Sequence, residues 1–147
     1  MTRTVDLLWD VEEEQPEHLL SAVFLEALES ELNLVDWEVA VRVVSDGEMR
    51  RINKSFRSID RITDVLSFPA VLYNSAVCER RHLGDLLICW AQTLRQADKI
   101  GQAAAVEFRF LFLHGLLHLL GYDHENDRGE MMKVQAEIKK KLKRFFM

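Results

Sequence analysis

The segment from Ala103 to Leu120 leaves this chain the least choice of fold. Its only polar side chains are Glu107, Arg109, His114 and His118, and the rest is alanine, valine, leucine, phenylalanine and one glycine. Eighteen residues are too many for one strand and suit a helix of five turns, which Gly121 can end with a left-handed cap. A helix apolar over most of its circumference has to sit centrally, with other elements laid around it.

Those other elements can be read on either side of it. Thr2 to Asp10 reads as a strand with Val5, Leu7 and Trp9 on one face, although Leu8 blurs the alternation. The acids Glu12 to Glu14 and then Pro16 suit a helix start, followed by an apolar stripe of Leu19, Leu20, Val23, Phe24, Ala27, Leu28 and Leu32. Trp37 to Val44 alternates cleanly as a second strand. Ser45 with Glu48 is a capping-box pattern that opens a short helix through Ile52. Thr63 to Phe68 is a third strand stopped by Pro69, residues 70–82 form a surface loop, and Gly84 to Trp90 is a buried fourth strand. A helix from Ala91 to Ile100 precedes the central one. Asp127 with Glu130 caps a last helix over 128–145. The order β-α-β-α-β-β-α-α-α predicts the α+β class: one small mixed sheet of about four strands packed with about five helices. At 147 residues, with no linker or repeat, residues 1–147 make a single domain large enough for its own core.

Chemistry concentrates at the end of the central helix. His114 and His118 are four apart, hence one turn apart on the same helix face, and Gly121 can turn the chain to bring His124 back toward them. Three neutral imidazoles with an open fourth position describe a catalytic zinc site rather than a closed structural one. Nickel or another divalent ion also suits such a set. The spacing is that of the metzincin zinc proteases, His-Glu-x-x-His-x-x-Gly-x-x-His, with one departure. Gly115 stands where those enzymes carry the glutamate base, and a glycine takes no proton from an attacking water. The two cysteines, Cys78 and Cys89, form neither a metal-type pair nor a disulfide framework.

Charge bears on the partner. The net value of −5 argues against simple attraction to nucleic acid, yet it is unevenly spread. Residues 1–31 carry −8, which leaves +3 for the remaining 116. Lys139, Lys140, Lys141, Lys143 and Arg144 crowd the last nine residues, as a solvated helix end or as a phosphate-contacting patch. Apolar runs such as Ala103 to Val106 fall far short of the ~20 residues of a membrane span, and the N-terminus lacks a signal-peptide layout. The expectation is a cytoplasmic monomer without a membrane partner.

Three stretches together resemble the YbeY endoribonuclease family, which acts in bacterial ribosomal RNA maturation. Asn53-Lys54-Ser55-Phe56-Arg57-Ser58-Ile59-Asp60-Arg61-Ile62-Thr63-Asp64-Val65-Leu66-Ser67-Phe68-Pro69 is similar to the family's Asn-x-x-Tyr-Arg-x-x-Asp-x-x-Thr-Asn/Asp-Val-Leu-Ser-Phe-Pro. Leu83-Gly84-Asp85-Leu86 matches its Leu-Gly-Asp-Ile, and His114 to His124 matches His-Gly-x-x-His-x-x-Gly-Tyr-Asp-His throughout. The resemblance implies that His114, His118 and His124 bind one zinc ion and that Arg57 is the catalytic arginine. It also implies a single-strand-specific cut in late 16S rRNA 3′-end maturation, with the small ribosomal subunit or its proteins as partners. Phe56 departs from the family's tyrosine and Cys89 from its frequent serine.

Physical roles follow beside that resemblance. Arg57 offers a planar fork of donors for a phosphate, or else a surface salt bridge to Asp60 or Asp64. Asp85 either orients a histidine or caps the turn after Gly84, and Asp123 either does the same or stabilises the turn before His124. Arg61, Arg80 and Arg81 are candidates for RNA backbone contact. Two other readings stand beside the nuclease: a ribosome-assembly factor with a structural metal, and a zinc peptide or ester hydrolase.

Overall fold

The computed structural model describes residues 2–70, 81–123 and 125–147. Among them run β1 (Arg3–Trp9), α1 (Ala22–Leu32), β2 (Trp37–Val44), α2 (Asp46–Arg57), β3 (Val65–Pro69), β4 (Arg81–Cys89), α3 (Trp90–Ile100), α4 (Ala104–Leu119) and α5 (Glu130–Lys141), with a 3₁₀ turn at Lys143–Phe145. The four strands form one sheet in the order β1-β2-β4-β3. β1, β2 and β4 are parallel, while β3 pairs antiparallel with β4 along the outer edge. One sheet and five helices are the α+β arrangement expected from the sequence.

Helices cover the sheet from both sides. On one face, Val39, Val41, Val43, Leu86 and Ile88 pack with Phe24 and Leu28 of α1 and with Phe108, Leu111, Phe112, Leu113, Leu116 and Leu117 of α4. On the other face, Met49 and Ile52 of α2 pack with Val44, Leu66, Leu87 and Cys89. Alternation along β2 and β4 supplies side chains to both layers. α4 is thus the central helix, and its first turn buries Glu107, whose carboxylate accepts from Gln96 Nε2 at 3.2 Å and Gln102 Nε2 at 3.3 Å. Among the described residues no single helix is long and apolar enough to cross a membrane.

Several boundaries differ from the sequence reading, each for a local reason. α1 begins at Ala22 rather than in the acidic run, because Ser21 is its N-cap and accepts from Phe24 N at 3.3 Å. Residues 17–20 form a turn that buries Leu19, with His18 at a φ of 60°. Val23, expected on the apolar stripe, faces solvent. α2 runs on past Ile52 to Arg57, ending where Ser58 adopts a left-handed conformation and its N–H caps Asn53 O and Lys54 O. β4 starts at Arg81, three residues before Gly84, because Leu83 bulges out of register between the Glu38 and Val39 pairings. Trp90 belongs to α3 rather than to the strand. α5 opens at Glu130, with Asp127 Oδ2 accepting from Met131 N at 2.9 Å, and stops at Lys141. Of the loop expected over 70–82, residues 71–80 lie outside the described residues.

Candidate functional site

His114 and His118 occupy the C-terminal half of α4, half-buried, with ring centroids 4.9 Å apart and planes at 77°. The helix ends where the i, i+4 spacing requires: Gly121, at a φ of 103°, donates its N–H to His118 O at 3.0 Å, and Tyr122 N–H donates to Leu117 O at 3.0 Å. That pairing closes the last turn as a Schellman cap. Asp123 then holds the following turn, its Oδ1 accepting from Glu125 N at 3.0 Å and its Oδ2 from Asn126 Nδ2 at 2.6 Å. These two bonds are the turn-stabilising part expected of Asp123. His124 lies outside the described residues, as do Cys78, Arg80 and the Arg81 side chain.

A cleft of about 740 Å³ opens beside the two rings. β3 contributes Val65, Ser67 and Pro69, the α2–β3 segment contributes Asn53, Arg57, Ile59, Arg61, Thr63 and Asp64, and the end of α4 contributes His114, His118, Gly121, Tyr122, Asp123 and Glu125. Arg57 and the two histidines, more than fifty residues apart in sequence, therefore line one space. Arg57 is exposed, and among the described residues neither candidate carboxylate holds it. Asp60 is taken by Arg50 Nε at 2.7 Å and by Lys54 Nζ at 4.0 Å. Asp64 accepts from Val65 N at 2.7 Å. The salt-bridge alternative for Arg57 is not realised.

The segment carrying Arg57 and Arg61 is fastened from beneath by Asn53. Its side chain is buried, and Nδ2 donates to Arg61 O at 2.9 Å while its backbone oxygen accepts from Ile59 N at 3.4 Å. Sequence inspection registered Asn53 only as a motif letter.

Gly115 explains itself sterically. A Cβ there would lie 2.8 Å from Leu86 Cδ2 and 3.3 Å from Ser67 Oγ, so α4 is pressed against the sheet at this turn. Ser67 Oγ also donates to Gly115 O at 3.2 Å. A longer side chain at this position would have to displace Leu86 and Ser67 where α4 packs on the sheet.

The residue that sequence reasoning missed is Gln135. It is buried on α5, and its Oε1 lies 2.9 Å from His114 Nδ1. An amide oxygen only accepts, so this contact suits the tautomer protonated at Nδ1, which leaves the Nε2 lone pair for a metal. Asp85, weighed for this orienting part, sits elsewhere: its exposed carboxylate is 3.9 Å from His82 Nε2. The donor chemistry of the two described imidazoles fits a zinc ion: both are presented from one helix face, and one has an amide oxygen against its Nδ1.

The family model described as Endoribonuclease YbeY matches residues 6–143 of this chain. A protein from a Nitratiruptor species, named Endoribonuclease YbeY, is 44% identical over 105 residues, 71% of this chain and 69% of its own. One of the same name from Macrococcus caseolyticus is 40% identical over 142 residues, 92% of each chain. A solution structure of a Thermotoga maritima protein superposes with a TM-score of 0.62 at 27% identity, over 95% of this chain and 92% of that one.

Proposed function

Because this chain belongs to the YbeY endoribonuclease family, we propose that it is a zinc-dependent endoribonuclease that cuts single-stranded RNA in the late maturation of the 16S rRNA 3′ end, in the cytoplasm and in contact with the small ribosomal subunit. The observation that carries the reading is one cleft lined by two face-sharing imidazoles and by an arginine that its neighbouring carboxylates leave available.

His114, His118 and His124 are the residues that would hold the ion. Zinc bound there supplies Lewis-acid charge to a phosphoryl oxygen or to a water near neutral pH. Arg57 binds the scissile phosphate through its planar donors and meets the negative charge that grows as the phosphodiester is attacked. Asn53 keeps that arginine's segment at the cleft wall. Gly115 has no side chain to act as a base, which weighs against the peptide-hydrolase reading.

The test is metal analysis and cleavage of a labelled single-stranded RNA by wild type, His114→Ala and Arg57→Ala. His114→Ala loses the metal and the cleavage. Arg57→Ala keeps the metal and cleaves on the order of 10²–10³-fold more slowly, as expected for removing one donor to a charged transition state. Undiminished cleavage by His114→Ala overturns the proposal. Loss of metal with intact ribosomal RNA maturation in cells carrying His114→Ala would favour the assembly-factor reading instead.

A further inference from the structure

α5 meets α4 in an antiparallel register that has a chemical content. Gln135 and Lys139, one turn apart on α5, meet His114 and Phe110, one turn apart on α4. Gln135 Oε1 lies 2.9 Å from His114 Nδ1, and Lys139 Nζ lies 4.5 Å from the centre of the Phe110 ring. The same helix buries Met131 and Ile138 against the core. Gln135 is 4% exposed among them, where a leucine would pack without desolvating an amide. Its place in that apolar row is accounted for by the bond to His114.

We propose that Gln135 is a positioning residue for the metal: it fixes the tautomer and ring orientation of His114, and thereby joins the docking of α5 to metal binding in one linked equilibrium. The inference rests on the zinc reading above and extends it to a helix that supplies no ligand. A hydrogen bond to the far nitrogen of a ligating imidazole holds the ring for the ion and raises its basicity. By linkage, an ion that prefers the oriented ring also favours the docked helix, and a loosened helix weakens the ion by the same factor.

Two measurements test this on the full chain with Co²⁺ and Zn²⁺ as probes. Affinity by chelator competition, with the visible absorption of bound Co²⁺, is compared among wild type, Gln135→Leu and Gln135→Glu. Gln135→Leu is expected to keep the fold and the metal-free thermal midpoint, to weaken Co²⁺ about 10–100-fold and to shift its spectrum. Gln135→Glu, which still accepts from Nδ1–H, restores both to near wild type. Hydrogen exchange of the Glu130–Lys141 amides should slow on adding metal to wild type and not to Gln135→Leu. Should the leucine variant fail to fold, Gln135→Met, of nearly the same length, carries the same expectation. Wild-type affinity and spectrum in a folded leucine or methionine variant overturn the positioning role alone. Absence of any metal binding by wild type overturns the zinc reading, and this inference with it.

Discussion

Arg57 is available because its neighbours are engaged. The Arg50 guanidinium beside Asp60 holds that carboxyl below its ordinary range, so Asp60 is ionised and committed where Arg57 needs it out of the way. A similar arrangement ties α2 to α3. Asp46 receives a fork from Arg95, at 3.0 Å to Oδ2 and 2.7 Å to Oδ1, and Cys89 Sγ donates to its Oδ1 at 3.2 Å. Burial, reinforced by the neighbouring carboxylate, pushes the Cys89 thiol up to about 11, so it behaves as a small core residue. Hydrogen bonding from Arg95 lowers the Asp46 carboxyl below 3.8. A lowered folded value stabilises the fold above the unfolded value and ceases to do so as pH falls through the folded one. Asp46→Asn should therefore be less stable than wild type at pH 7, and the gap should narrow as pH falls below the ordinary carboxylate range. Urea unfolding at neutral and at acid pH checks this, and a gap of equal size at both refutes it. At this scale the histidine pair was legible because i, i+4 spacing on a helix is a local fact. Gln135 was not, because the amide that orients His114 comes from another helix and carries no signal of its own.

Element boundaries went wrong where a distant side chain decided them. Acids and Pro16 suit a helix start, yet residues 17–20 form a turn that α4 holds in place: Arg109 donates from Nε to Leu19 O at 3.1 Å, from Nη2 to His18 O at 3.1 Å and from Nη1 to Phe145 O at 3.2 Å. Burial lowers the affinity of Arg109 for its proton. Nothing within ten residues of His18 announces a partner ninety positions away. The start of β4 is a similar case, since its bulge exists to seat Gly84 where β3, β4 and the end of α4 converge. Gly84 has a φ of 141°, and a Cβ on it would overlap the carbonyl oxygen of Phe68 and come within 2.9 Å of Leu119 Cδ2. Backbone atoms do not yield as side-chain tips do. Gly84→Ala should thus cost about 3 kcal/mol or more, adding steric overlap to a backbone conformation that L residues resist. Chemical denaturation measures it, and a loss under about 1 kcal/mol would show that the bulge relaxes.

At the scale of the whole molecule, a net charge of −5 is a poor guide to the partner because the acids are segregated. None of the described residues 2–31 lines the cleft. The basic end of the chain is largely occupied within the fold: Lys141 pairs with Glu31 at 3.4 Å, Lys139 sits over Phe110, and Arg144 sits over Phe145. None of these three lines the cleft either, which favours the solvated, packed helix end over a phosphate-contacting patch. The formal charges of the described cleft are two arginines, Arg57 and Arg61, against three carboxylates, Asp64, Asp123 and Glu125. That balance, a net −1, does not attract an RNA backbone, and the divalent ion proposed above would turn it positive. RNA affinity should then depend on metal, and its salt dependence should report few phosphates. With the two arginines as the neutralising groups, log K against log salt for a labelled single-stranded RNA should have a slope of about −1.4. Metal-free protein should bind more weakly at every salt concentration. A slope of about −3 or steeper would mean four or more phosphates neutralised, and would bring the lysines of α5 back as an RNA surface.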